Sequence, residues 1–204
     1  TDAWVVRTPA TNEVPVNNQF YARDDTGFGT IHYNGTSPAG ANVFLNVYTN
    51  GPGGDVPYTN VIQALPANKV YALSARIKAG LVKYTVRFGY VNNGTAVTNN
   101  TVTNLVCGDA YIIDGQSNAV ADNYLNDTSS YTNILNYSSP WIRSYGSSEG
   151  SPAGGWGDAV AYNPTTYEAP YPYRIGIWGF GLASNLVATY QIPVCVINEA
   201  RGAT

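Results

Sequence analysis

The residues with the clearest chemical potential are Asp114-Gly115-Gln116-Ser117-Asn118, which follow the apolar run Ala110-Tyr111-Ile112-Ile113. That run is too short for a globular helix and apolar on both faces, so it reads as a central parallel strand. Gly115 supplies the backbone freedom for a sharp reversal, and Ser117 then stands where a helix begins. A hydroxyl in that place lies at the carboxyl edge of the sheet, where open α/β folds hold ligands. Unpaired N–H groups at a helix start also favour developing negative charge. On pattern alone two readings of Ser117 stay open. It caps a helix after a turn, or it is the nucleophile of an acyl transfer whose oxyanion is met by backbone donors. The block is not the Gly-x-Ser-x-Gly elbow, because Ala119 follows Asn118.

A serine nucleophile needs a base within hydrogen-bond reach and a third group to orient that base. The chain has a single histidine, His32, in the alternating segment Thr30-Ile31-His32-Tyr33, where it reads as a surface or cleft-lining strand residue. Cys107 and Cys195 form no short metal-binding spacing. They are buried thiols packed as small hydrophobes or an extracellular disulfide. Carboxylates for glycoside hydrolysis would come from Asp109, Asp114, Asp122, Asp127, Asp158 and Glu199. Asp109 and Asp114 flank one strand and would lie ~16 Å apart if extended, too far for either glycosidase geometry. Asp114 is therefore read as ordering the turn beside Ser117. Trp141, Trp156, Tyr162, Tyr167, Tyr171 and Tyr173 could stack on sugar rings or anchor a loop on the core. No metal constellation or phosphate-cradling loop appears, since Gly51-Pro52-Gly53-Gly54 runs into Asp55-Val56-Pro57 without the Lys and Ser/Thr of a P-loop.

Composition narrows the classes further. Of the 204 residues only 11% are charged, the net charge is −3, and Lys and Arg never cluster. Nucleic-acid binding needs a basic footprint and is excluded as a main function. No apolar run is long enough for a membrane-spanning helix. The chain starts Thr1-Asp2-Ala3-Trp4 without Met or a leader, so any export signal is expected to have been removed already. Low charge with abundant Asn and Thr suits an extracellular, cell-surface or periplasmic setting. Five Asn-x-Ser/Thr triplets, at Asn34, Asn93, Asn99, Asn126 and Asn136, permit glycosylation there.

The elements that must position these residues change period near residue 105. Before it, short alternating segments predict strands at 3–8, 14–21, 29–33, 41–48, 58–63, 71–78, 82–90 and 101–106. Segments 71–78 and 82–90 put Tyr71, Leu73, Ala75 and Ile77, then Val82, Tyr84, Val86, Phe88 and Tyr90, on single faces. With Ala79-Gly80 between them they predict a hairpin. Many short strands argue for a β-sandwich. After residue 106 the order becomes strand, helix, strand, helix, strand. A helix is expected over 117–125, a strand over 141–145, a long Gly, Pro, Ser and Tyr-rich excursion over 147–173, and an amphipathic helix over 180–190 with Leu182, Ala183, Leu186, Val187 and Tyr190 on one stripe. A buried strand at 194–197 completes an α/β unit.

Residues 106–119, Val106-Cys107-Gly108-Asp109-Ala110-Tyr111-Ile112-Ile113-Asp114-Gly115-Gln116-Ser117-Asn118-Ala119, resemble the first block of the SGNH/GDSL-like hydrolases, in the branch of sialate O-acetylesterases and acetylxylan esterases. A second stretch, Ile192-Pro193-Val194-Cys195-Val196-Ile197-Asn198-Glu199-Ala200-Arg201-Gly202-Ala203-Thr204, is similar to the next block, with Ala203 where a second glycine is commoner. Trp178-Gly179-Phe180 with Leu182 and Ala183 is similar to the intervening helix. The resemblance implies a three-layer, flavodoxin-like α/β domain with a parallel sheet. In it Ser117 is the nucleophile, and the amides of Ser117 and Gly202 form the oxyanion hole. No cofactor or metal takes part, and the substrate it implies is an O-acetylated carbohydrate. From their places beside these residues, Asp114, Gln116, Asn118 and Arg201 are read as substrate-contacting or site-shaping, with Arg201 either paired with an acidic group such as Glu199 or a partner chain, or contacting a sugar hydroxyl or carboxylate.

The family's later Asn and Asp-x-x-His find no match before Thr204. The expected organisation is therefore a β-sandwich accessory domain at 1–105 followed by the first part of an SGNH domain at 106–204. The missing continuation or a companion chain would supply Asp and His, and this piece would be inactive alone. The alternative is a noncatalytic extracellular carbohydrate-binding or structural module on the same scaffold.

Overall fold

The computed structural model describes residues 13–37, 39–116, 119, 139–146, 155–160, 173 and 175–200. They form an α/β arrangement with a large mixed sheet and, among the described residues, a single helix. Two compact units divide the chain, one of Thr1–Asn17, Thr30–Ile77 and Val82–Leu105, the other of Asn18–Gly29, Lys78–Leu81 and Val106–Thr204. The order in the sheet is β4-β3-β6-β7-β10-β8-β9, with β1 also beside β7, while β2 and β5 form a separate pair.

In the first unit β3 (Asn42–Gly51) and β4 (Gly54–Ala64) make a hairpin around Pro52-Gly53. On its other edge β3 pairs antiparallel with β6 (Tyr84–Asn92), and β6 with β7 (Thr95–Ile113). The expected alternation holds. Val43, Leu45 and Val47 of β3 are buried, as are Tyr84, Val86 and Phe88 of β6. Tyr71, Leu73, Ala75 and Ile77 of β5 (Val70–Lys78) are buried too. Phe44, on the opposite face of β3, is also buried, because its register partner is Gly89, whose missing side chain leaves room for the ring.

The hairpin expected across Ala79-Gly80 does not form. Strand β5 pairs with β2 (Phe28–Thr36), and β6 turns instead through Asn93-Gly94 into β7. Asn93 and Gly94 both have positive φ, the backbone of a tight two-residue reversal. The inward aromatics nevertheless meet, with Phe88 stacked on Tyr33 at 4.1 Å and on Tyr71 at 4.9 Å between ring centroids. Of the remaining expected strands, 14–21 contributes only to β1 (Phe20–Ala22), and 3–8 lies outside the described residues.

In the second unit the last part of β7, β8 (Ile142–Tyr145) and β10 (Val194–Asn198) are parallel, and β9 (Trp156–Asp158) returns antiparallel on β8. Strand β9 lies inside the expected loop 147–173, whose other described residues are few. Strand β10 is covered on both faces. Val194 and Val196 pack with Ile113, Phe180 and Ala183, while Cys195 joins Phe20 and Val106, with Trp141, Trp156 and Ile197 against them. Helix α1 (Ile177–Tyr190) starts three residues before the expected helix and ends at Gln191, whose left-handed backbone lets its N–H bond to the Val187 carbonyl. Its buried residues are Gly179, Phe180 and Ala183. Of the expected stripe Ala183 is buried and Leu186 and Val187 pack against the core, while Leu182 and Tyr190 are 40% and 63% exposed.

Candidate active site

Strand β7 delivers Asp114 and β10 delivers Glu199 at the same sheet edge. Their last residues, Ile113 and Asn198, are register partners in parallel strands, and the Glu199 N–H donates to the Ile113 carbonyl at 2.9 Å. The two sequence blocks therefore leave the sheet side by side. Gly115 has φ +151°, a conformation that residues with side chains rarely adopt, and a β-carbon there would stand 2.8 Å from that of Ala119. The Ala119 N–H donates to the Gln116 carbonyl at 2.8 Å, closing the turn. Asp114 and Gln116 are exposed at this edge. Ser117, Asn118, Arg201 and Gly202 lie outside the described residues, as do Asp122, Asp127, Tyr162, Tyr167 and Tyr171 and almost all of the expected helix over 117–125.

One expectation about this strand is corrected. The apolar run before Asp114 was expected to be buried on both faces. Ile113 is buried against α1, but Ala110 and Tyr111 are exposed and Ile112 is 73% exposed. The pairing explains it. Strand β1 accompanies β7 only as far as Gly108, and among the described residues Asp109–Ile113 pairs with β10 alone.

A residue not singled out from the sequence holds the turn together. Asn198 is buried, its Nδ2 donates to the carbonyls of Ala119 at 3.1 Å and Ile175 at 3.2 Å, and its Oδ1 accepts from the Ala200 N–H at 3.0 Å. Trp178 Nε1 is a second donor to the Ala119 carbonyl, at 3.2 Å. The available signal was an amide side chain closing the otherwise apolar Val194-Cys195-Val196-Ile197 run.

The other chemical candidates have structural partners. Asp109 accepts from Arg23 Nε at 2.6 Å and Nη2 at 3.0 Å, and that bond holds the Arg23 guanidinium above its ordinary value. Asp158 is ion-paired with the buried Arg143. Cys107 and Cys195 are free buried thiols, both pushed up to about 12 by burial, which disfavours the thiolate. His32 is half-exposed on β2, its Nδ1 3.1 Å from Ser74 Oγ, in the first unit. Trp156 stacks near Phe20 and meets Tyr145 edge-on, and Tyr173 lies against Gly157, so these aromatics anchor the core. Asn34 is buried and bonded to Glu13, which closes that triplet to glycosylation in the folded chain. Among the described residues no group of three or more His, Cys, Asp or Glu is placed to hold a metal, and no helix is long and apolar enough to cross a membrane.

Neither a family model nor a curated protein sequence matches the chain. Among solved structures, a carbohydrate acetylesterase from Xanthomonas citri shows a weak likeness, with a TM-score of 0.48 and 17% identity over 92% of this chain. The chain spans 39% of the length of that protein.

Proposed function

We propose that the 204 residues by themselves are a noncatalytic carbohydrate-binding or structural module on an esterase-like scaffold. The complete protein, where it is an enzyme, is a serine O-acetylesterase of acetylated sugars. In this reading residues 106–204 are the first part of an SGNH-type domain and residues 1–105 an accessory β-sandwich, working outside the cell, on its surface or in the periplasm.

The observation that carries the esterase half is the side-by-side exit of the two blocks, with Ile113 opposite Asn198 in parallel strands. Ligands of open α/β sheets bind at that edge. Ser117 attacks the acetyl carbonyl as the base takes its proton, the amides of Ser117 and Gly202 receive the oxyanion, the ester C–O bond breaks, and the sugar leaves as a hydroxyl bearing that proton, while Asp114, Gln116, Asn118 and Arg201 shape the surroundings. Water then releases acetate from the acyl-enzyme. The observation that favours the noncatalytic half is the base. The chain's one histidine, His32, is on β2 in the first unit and bonded to Ser74. In this reading a continuation or a companion chain supplies the base for Ser117.

Acetyl-ester turnover, measured on the 204-residue chain and on the complete polypeptide with and without Ser117→Ala, tests both halves. The short chain is expected to stay at background while binding acetylated glycan. Ser117→Ala in the complete protein should cost at least ~10³-fold. Equal rates for the complete protein and its Ser117→Ala variant would remove the nucleophile, and turnover by the short chain would remove the noncatalytic half.

A further inference from the structure

We propose that Asn198 is a positioning residue for the nucleophile turn, acting through the Ala119 carbonyl with Trp178 as its second donor. The inference rests on the serine reading above and adds to it the group that fixes the turn. Ala119 follows Ser117 by two residues, and its carbonyl receives both Asn198 Nδ2 and Trp178 Nε1. The remaining capacity of the Asn198 amide is committed to the Ile175 carbonyl just before α1 and to the Ala200 N–H just after β10. One side chain, 8% exposed, thus joins the turn after β7, the start of α1 and the chain leading to Gly202. Three partners on three segments leave this amide a single orientation, and only an amide can offer two donors and an acceptor here.

Asn198→Asp is the informative variant. It keeps the size and the acceptor for Ala200 but turns the double donor into a carboxylate oxygen facing two carbonyls. Those acceptors disfavour the charged form, so acid should return one donor and restore the clamp. The amide of Ala119, which closes the turn onto Gln116, is followed by hydrogen–deuterium exchange relative to wild type at each pH, in the 204-residue chain. The expected result at neutral pH is exchange ~10–100-fold faster at Ala119, unchanged exchange at the Glu199 amide, and recovery toward wild type near pH 4. Trp178→Phe, which keeps an aromatic ring and loses the indole donor, should give a smaller change at the same amide.

In the complete polypeptide Asn198→Asp should lower kcat ~100-fold with little change in KM, with Ser117→Ala alongside as the reference. Wild-type exchange at Ala119 in folded Asn198→Asp and Trp178→Phe overturns the clamp. So does uniform loosening of the sheet without acid recovery, the mark of a merely structural residue. If Asn198→Asp does not fold, Trp178→Phe decides by the same amide. Turnover that survives Ser117→Ala would remove the nucleophile reading, leaving the exchange result to judge the clamp by itself.

Discussion

Arg143 shows how little of a residue's role its type reveals. It is 0% exposed on β8, and burial lowers its guanidinium to about 10 because the charged form loses its hydration. Asp158, its register partner on β9, supplies the opposite charge. In the sequence Asp158 is one of six candidate catalytic carboxylates, and nothing in the spacing links it to Arg143, because the link is a strand pairing. A buried ion pair costs much of what it gains in desolvation, so losing one partner matters more than losing both. Asp158→Ala should destabilise the fold by about 2 kcal/mol, less than for a fully buried carboxylate because its side chain is 47% exposed. Arg143→Met, which removes the charge and keeps the stem volume, should cost less than Asp158→Ala. Urea unfolding of the two variants checks the order, and a reversed order would mean that Arg143 is held by packing of its stem.

At the scale of elements, the faces of the first unit's strands were legible and partners were not. Alternation is a local property of strand geometry, so the buried sides of β3, β5 and β6 follow directly from the residues. Pairing depends on which turn closes. Ala79-Gly80 looked like a reversal, while Asn93-Gly94, with the stronger hairpin chemistry, lay in an Asn/Thr-rich stretch that reads as low complexity. The same limit applies to Gly108, which looks like an ordinary strand glycine. It sits where the Pro193 backbone carbonyl crosses β7 on its way to bond the Asp109 N–H at 3.0 Å, and a β-carbon would overlap that carbonyl. The obstacle is backbone and has no rotamer to yield. Gly108→Ala should therefore cost ~3 kcal/mol, the upper end for overpacking, and should part β10 from β7. Protection of the Asp109 and Glu199 amides against exchange would fall together, and loss at only one of them would contradict the shared pairing.

Among the described residues, thiols and phenols held neutral by burial shape the response to high pH. The motif blocks could be read from residue types, but this response could not, because it depends on burial that only the assembled sheets create. Cys107 and Cys195 are raised from 9.0 to about 12, and Tyr71 from 10.0 to about 12, in each case chiefly by desolvation, with Tyr33 also raised. These groups are acids whose folded form holds the proton longer. The unfolded chain therefore releases protons first as pH rises, and the folded state binds more protons than the unfolded one between about pH 9 and 12. Stability from these groups is complete below about pH 9 and falls across that window. The midpoint of thermal unfolding, followed by circular dichroism, should decline steeply above about pH 9. Tyr71→Phe, which removes a titrating hydroxyl and keeps the ring that stacks on Phe88, should flatten the decline. A Cys107→Ala, Cys195→Ala chain should start from a lower midpoint, having lost buried volume on both strands, yet lose less of it per pH unit. Wild-type slopes in both variants would show that the alkaline limit is set by other groups and that these three are accessible to hydroxide in the folded chain.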